Sequence, residues 1–174
     1  MKKTLAMAGS NSSTSINQRL IEMAAQLDDT IDVIDLRDYD AVMFSKDIEK
    51  DVPESIVKLY DLIQEYENVI ISTPAYNGLP SSFFKNIFDW LTRRKEGDTQ
   101  FMRGKKLLLF SASPGKLGGA TSLENLKSGI VYTGAETVAV YSLGSFHKRV
   151  TEDNQFVSDI DKEALQEVLD KLHQ

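Results

Sequence analysis

The sequence predicts an open α/β fold of three layers, α/β/α, built on one parallel sheet of five strands in the order 2-1-3-4-5. Three observations carry that expectation. Short apolar runs alternate along the chain with segments of helical periodicity. The central runs are apolar at consecutive positions, as strands covered on both faces are. The stretches after the first, third and fourth runs are crowded with Ser, Asn, Pro and Gly, and those are the connections that meet at the carboxyl edge of such a sheet.

The elements follow in order. "KTLAMAG" reads as a buried first strand and "SNSSTS" as its loop. Ile16, Leu20, Ala24 and Leu27 recur at helical spacing. "TIDVIDL" is a second strand, and "RDYDAVMFSKDIEKD" a longer irregular segment. Pro53 stands where a helix begins, and Ile56, Leu59, Tyr60 and Ile63 give that helix its apolar face. "NVIIST" is the third strand, followed by a proline-flanked loop and a helix carrying Phe83, Phe84, Ile87, Phe88 and Leu91. "KKLLLFSA" is the fourth strand; "SPGKLGG" leads from it into a helix capped by Thr121 or Ser122. "ETVAVYS" is the fifth strand. The polar stretch "SFHKRVTEDNQFVSD" reads as irregular, and "DKEALQEVLDKL" closes the chain as a helix with Ala164, Leu165, Val168, Leu169 and Leu172 on one face. Strand–helix–strand units of this kind cross over right-handed and put helices on both sides of the sheet. Five strands fit the flavodoxin-like order, whereas a six-strand dinucleotide fold needs more chain. The expectation is one domain over residues 1–174.

Composition removes several function classes. A net charge of -6 argues against a nucleic-acid partner, which needs a basic stripe. The chain has no cysteine, so thiolate catalysis, disulfides and cysteine-bound metals are out. His147 and His173 are far apart, lack metal-ligand spacing and read as surface residues. Lys2 and Lys3 precede an apolar run, Leu5 to Ala8, that is too short for a signal-peptide core, and no run approaches membrane-spanning length. The expected setting is cytoplasmic, with no membrane partner.

The first loop, Gly9 to Asn17, offers the hydroxyls of Ser10, Ser12, Ser13, Thr14 and Ser15 and the amides of Asn11 and Asn17 ahead of a helix N-terminus. Hydroxyls, free backbone N–H groups and the positive end of the helix dipole together hold a phosphate. The loop is neither a Walker loop nor a GxGxxG fingerprint. For any single residue here, Thr14 or Ser15 above all, helix capping is the plain alternative.

The loop after the third strand reads Pro74-Ala75-Tyr76-Asn77-Gly78-Leu79-Pro80, then Phe84-Lys85-Asn86 and Asp89-Trp90. With the first loop, Gly9-Ser10-Asn11-Ser12-Ser13-Thr14-Ser15-Ile16-Asn17, and the looser "SPGKLGG", it resembles the NAD(P)H-dependent FMN reductase family, flavodoxin-like flavoenzymes that include quinone, chromate and azo-dye reductases. The resemblance implies FMN as bound cofactor and NAD(P)H as cosubstrate. It implies that Ser10, Ser12, Ser15 and Asn17 hold the FMN phosphate. Pro74, Ala75, Tyr76, Asn77 and Gly78 would line the flavin ring, and Ser113, Gly115 and Gly118 would close the other side. Ser12 stands where the family carries Arg, and Ala75 where it carries Glu. Asn77-Gly78 is also an ordinary turn pair, which is the alternative at that point.

Several residues carry plainer readings. Arg93, Arg94 and Lys95 end a helix, where cations favour the dipole, against a role on the pyridine nucleotide's phosphates. Lys85 and Asn86 could be solvated, Asp89 and Trp90 could be packing features, and Lys116 reads as a solvated cation. No nucleophile with its base is present, which suits an enzyme whose cofactor carries the chemistry. The implied activity is hydride transfer from NAD(P)H to flavin, then electron delivery to a small acceptor such as free flavin, a quinone, an azo compound or a metal oxyanion. A flavodoxin-type electron carrier and a flavin-binding protein without reductase activity are the alternatives. The resemblance also implies a homodimer or homotetramer.

Overall fold

The computed structural model describes residues 3–94 and 98–174. Its main sheet is built from β1 (Thr4–Ala8), β2 (Ile31–Ile34), β3 (Asn68–Ser72), β6 (Lys106–Ala112) and β7 (Glu136–Leu143). A two-residue hairpin, β4 (Ala75–Tyr76) with β5 (Leu79–Pro80), stands apart from it. The helices are α1 (Ile16–Leu27), α2 (Glu54–Gln64), α3 (Ser82–Leu91), α4 (Ala120–Ile130), the short α5 (Phe146–Arg149) and α6 (Asp159–Leu169). All main-sheet pairings are parallel and the order is β2-β1-β3-β6-β7, the flavodoxin-like arrangement. Numbering only these five strands gives the expected 2-1-3-4-5.

The alternation of side chains along each strand divides the core in two. Leu5, Met7, Val69, Ile71, Leu107 and Leu109 face a cluster completed by α2, α3 and α4, with Trp90 fully buried in it. Ala6, Ala8, Ile70, Leu108 and Phe110 face the other side, against α1 and α6. The alanines of β1 lie on the face where α1 packs.

Some local expectations need correction. α4 is capped by neither Thr121 nor Ser122: its N-cap is Gly119, at φ 82, with no side-chain cap bond. The two left-handed glycines, Gly118 and Gly119, turn the chain so sharply that the helix has begun by Ala120. The irregular stretch after β7 holds α5 and an antiparallel bridge between Val150 and Phe156. The last helix starts earlier, at Asp159, and finishes as a 3₁₀ turn over Asp170–Leu172. The segment after β2 contains two more 3₁₀ turns, Leu36–Tyr39 and Lys46–Ile48.

Candidate functional site

The carboxyl edge of the sheet is made by three loops that brace one another. The Gly9 N–H donates to the Ser72 carbonyl at 2.7 Å, and Ser81 Oγ donates to the Gly9 carbonyl. A Cβ at Gly9 would stand 2.6 Å from Phe84 Cβ, so only glycine lets the first loop lie on the start of α3. The same Ser81 Oγ caps α3 by accepting from the Phe84 N–H at 3.0 Å.

Within the first loop the hydroxyls are bonded only to near neighbours. The Ser12 N–H donates to Ser10 Oγ at 3.3 Å, and the Thr14 N–H donates to Ser12 Oγ at 3.3 Å. Ser15 is the N-cap of α1, accepting from the Gln18 N–H at 3.2 Å. The following N–H groups, of Ile16 and Asn17, lie in the first helical turn, where no intrahelical carbonyl reaches them. The hydroxyls of Ser10, Ser12, Ser13, Thr14 and Ser15 border a cavity of about 190 Å³. That is several times the roughly 30 Å³ share of one water in the liquid. Arg19, Glu22, Asp35 and Arg37 complete its wall.

Asn17 does something else. It is 1% exposed; its Oδ1 accepts from Ser72 Oγ and from the Ala112 N–H, both at 2.9 Å, and its Nδ2 donates to the Ala112 carbonyl at 3.2 Å. This amide staples α1 to the ends of β3 and β6, which accounts for its identity without any ligand.

The opening of the next loop is fixed by Thr73, whose N–H donates to the Phe110 carbonyl at 3.0 Å and whose Oγ1 accepts from the Ser81 N–H at 3.3 Å. Between Pro74 and Pro80 the chain forms the β4–β5 hairpin. Asn77 at φ 55 and Gly78 at φ 76 occupy its two central positions, as a type I′ turn requires. The turn reading of Asn77-Gly78 is therefore correct as geometry, and it explains both residues. It does not explain Tyr76, a large ring left 53% exposed beside Leu79 at 56%. The hairpin is pinned to α4: Asn125 Nδ2 donates to the Gly78 carbonyl at 2.8 Å.

The third loop is the most tightly held. The Ser113 N–H donates to the Leu143 carbonyl at 3.1 Å, and the Ser145 N–H donates to the Gly115 carbonyl at 2.8 Å. Ser142 Oγ donates to the Leu117 carbonyl at 2.9 Å. A Cβ on Gly118 would lie 2.6 Å from the Gly144 nitrogen, and one on Gly119 would lie 2.9 Å from Ser111 Cβ and 3.3 Å from Ala75 Cβ. Those glycines are demanded by packing and by positive φ. Gly115 is not: its φ is not in the left-handed region, and a Cβ there would meet only Ser113 Oγ, at 3.8 Å. Leu117, two residues on, is 76% exposed.

The rest of the long motif is structural. Asn86 is buried rather than solvated; its Oδ1 accepts from the Phe44 N–H at 2.7 Å and its Nδ2 donates to the Ala41 carbonyl at 2.9 Å. Trp90 Nε1 donates to the Val42 carbonyl at 2.7 Å. Together they hold residues 41–44 on α3. Lys85 pairs with Asp89 across one exposed turn, 2.7 Å apart. Arg93 stacks on Phe44 and lies 3.7 Å from Glu49, while Arg94 lies over Tyr60, so both favour the plainer reading. Lys95 and Lys2 lie outside the described residues. His173 is tied to Asp28 at 2.7 Å, and His147 is exposed. Burial would raise the Asp28 carboxyl, but hydrogen bonds from Thr30 and His173 outweigh it and leave Asp28 below its usual value. Asp35 and Arg37 were missed as wall residues. Their signal was the strand order itself, since the end of the second strand lies beside the end of the first.

A second cavity, of about 340 Å³, opens at the opposite end of the sheet, bordered by Tyr66, Glu67, Lys105, Lys106 and Glu136. Burial lowers the Lys105 pKa, and its ammonium donates to the Tyr66 carbonyl. Cations and carboxylates alternate there, and none of the three loops reaches it. Among the described residues no helix is long and apolar enough to cross a membrane, and no group of three or more His, Asp or Glu is placed to hold a metal.

Known proteins give the edge a context. The model of a family described as NADPH-dependent FMN reductase matches residues 2–148. An uncharacterized protein of Mycoplasma pneumoniae is 29% identical over 163 residues, 92% of this chain and 97% of its own length. A quinone reductase of Escherichia coli is 30% identical over 98 residues, which span 55% of this chain and 50% of that enzyme. Among solved structures, the flavoenzyme FerB of Paracoccus denitrificans, an NAD(P)H:(acceptor) oxidoreductase, superposes with a TM-score of 0.84 at 25% identity, covering 99% of this chain and 95% of that one.

Proposed function

This chain belongs to the NADPH-dependent FMN reductase family, and from that membership we propose that it passes electrons from NAD(P)H, through FMN held at the three loops, to a small planar acceptor of the quinone or free-flavin class. It is an NAD(P)H-dependent oxidoreductase with FMN as cofactor. Bound FMN supplies a ring that accepts hydride and releases electrons one or two at a time. The protein's part is to hold, orient and shield that ring.

The residues present fit this cofactor. The observation that carries the reading is a hydroxyl-lined cavity at a helix N-terminus, on the same sheet edge as a rigid hairpin bearing an exposed tyrosine. Ser10, Ser12 and Ser15, with the N–H groups of Ile16 and Asn17, would take the phosphate. Asn17 would contribute through its backbone alone, since its side chain is committed. Pro74, Ala75 and Tyr76 would border the ring, with Asn77 and Gly78 shaping the turn that presents them. Gly115 supports the same reading from the other side: the chain itself makes no demand for glycine there, whereas a flat ligand at close approach does. Gly118 would act one step back, by seating Gly115 and Ser113. Backbone N–H groups facing the ring's polar edge would offset negative charge gathered there on reduction.

Tyr76, Leu79 and Leu117 leave an open apolar rim, suited to a flat acceptor that visits and leaves. The same reading takes residues 1–174 as one cytoplasmic domain that works as a homodimer or homotetramer. The test is anaerobic mixing of the FMN-loaded protein with NADPH and with NADH, followed by a quinone and by free FMN. Bleaching of the flavin band by at least one nucleotide and its return on adding acceptor are expected. A flavin that stays oxidised with both nucleotides would leave an electron carrier in place of a reductase.

A further inference from the structure

The first loop has no cation of its own, and Ser12 stands at the position of the family's arginine. Two guanidinium groups nevertheless border its cavity, Arg19 and Arg37. Arg19 is already spent. Its Nε donates to Asn154 Oδ1 and its Nη2 to the Thr151 carbonyl, each at 2.6 Å, and it stacks on Phe146. These contacts tie α1 to a segment more than a hundred residues away, and moving Arg19 would undo them.

Arg37 is placed differently. It lies just past β2, beside the first loop because β2 neighbours β1 in the sheet. Among the described residues its guanidinium hydrogen-bonds to Asp35: Nε donates to Oδ1 at 2.9 Å and to Oδ2 at 3.0 Å, and Nη2 also reaches Oδ2. The guanidinium side chain is 41% exposed, so this pair is a surface ion pair and contributes little to folding. Its hydrogen bonds to Arg37 hold the Asp35 carboxyl below the usual aspartate range, so the pair is charged at neutral pH. A carboxylate is here doing what a phosphate oxyanion does, occupying a planar fork of N–H donors.

We propose that Arg37, reaching in from the end of the second strand, is the cation that contacts the FMN phosphate in this chain, in place of the arginine missing at position 12, with Asp35 holding its guanidinium beside the cavity. This rests on the reading that the first loop holds the phosphate. A dianion in the cavity adds a second acceptor for the fork, and among the described residues no hydrogen bond of the Arg37 guanidinium reaches beyond Asp35. Glu22, also in the cavity wall, accepts from Gln18 Nε2 at 3.3 Å and from Asn154 Nδ2 at 3.4 Å.

The test compares FMN with riboflavin, which lacks the phosphate, by quenching of flavin fluorescence. Arg37→Gln should weaken FMN binding about tenfold or more, in line with loss of a charge-assisted bidentate contact, while changing riboflavin by less than about twofold. Arg37→Lys, which keeps the charge and loses the fork, should fall between. The salt dependence of FMN binding should be shallower in Arg37→Gln than in the parent protein. Unchanged melting of the ligand-free Arg37→Gln protein is expected for an exposed pair and excludes misfolding as the cause. If Arg37→Gln weakens FMN and riboflavin alike, or neither, the proposal is overturned while the flavin site stands. If the parent protein binds FMN no better than riboflavin, the phosphate reading of the first loop falls with it.

Discussion

The first and third loops meet the same sheet edge by opposite means. The first, Ser10 to Ser15, is a run of hydroxyls whose bonds stay within three residues of each donor, around open space. The third, Ser113 to Gly119, carries three glycines and is set by β7 and the start of α5, at contact distances that leave no room for a methyl group at Gly118 or Gly119. Under the proposed function these are two kinds of ligand surface at one edge. One would offer donors to a compact anion, and the other would offer backbone fixed by packing to a flat ring. Gly115 is where the two descriptions separate, being a glycine in the packed loop that packing does not require.

That contrast can be broken most forcefully by placing one methyl group at two sites. Gly118→Ala puts a Cβ in left-handed backbone, 2.6 Å from the Gly144 nitrogen. We expect a loss of about 2–4 kcal/mol, or about 5–15 °C in melting temperature, from backbone strain plus overpacking. Gly115→Ala should leave stability within about 0.5 kcal/mol of the parent and yet weaken FMN and riboflavin equally. If the two variants melt alike, the division of the third loop into packing and ligand glycines is wrong.

A middle-sized effect is expected from the first loop. Ser15→Ala removes the α1 cap and should cost about 1 kcal/mol by thermal or denaturant unfolding. It should also weaken FMN more than riboflavin. A uniform loss across both flavins would make Ser15 a cap and nothing more.

The smallest effect concerns what supports the third loop from below. Arg149 Nη1 donates to the Gly144 carbonyl at 3.4 Å while its Nε donates to Asp161 at 2.8 Å. The hydrogen bond from Arg149 holds the Asp161 carboxyl below its ordinary value of 3.8. A depressed carboxylate contributes stability that is complete above that ordinary value and is lost as pH falls through the folded one. Asp161→Asn should therefore flatten the acid limb of the stability curve below about pH 4, by no more than about 1 kcal/mol for a partly buried pair that solvent still reaches. An acid limb identical to the parent's would remove Asp161 from the account.

Much of this was legible in the residues. The strand order followed from five apolar runs and the helices between them, because periodicity and crossover handedness leave few topologies. The three loops were recognisable by composition. What the sequence could not separate was a residue's type from its target. Ser15 already carried a capping alternative, which the structure shows, whereas nothing in the loop marked Asn17 as a buried staple. Asn86 read as solvated because nothing in a helix's own sequence reveals that residues 41–44 lie across it. Gly115 and Gly118 read alike as closing one side of the flavin, and only neighbours distant in sequence distinguish them. Arg37 escaped notice because its place beside the first loop is a property of the sheet and not of any motif.

Under the proposed function the first loop takes the FMN phosphate as a dianion. The phosphorus NMR spectrum of the FMN-loaded protein, followed through pH, tests it directly. A phosphate monoester in water takes up its second proton near pH ~6. Held by hydroxyls, first-turn N–H groups and a cation, the bound phosphate should keep one displaced resonance that does not move between about pH 5 and 8. A bound-flavin resonance that titrates near pH ~6, as the free cofactor does, would contradict the account.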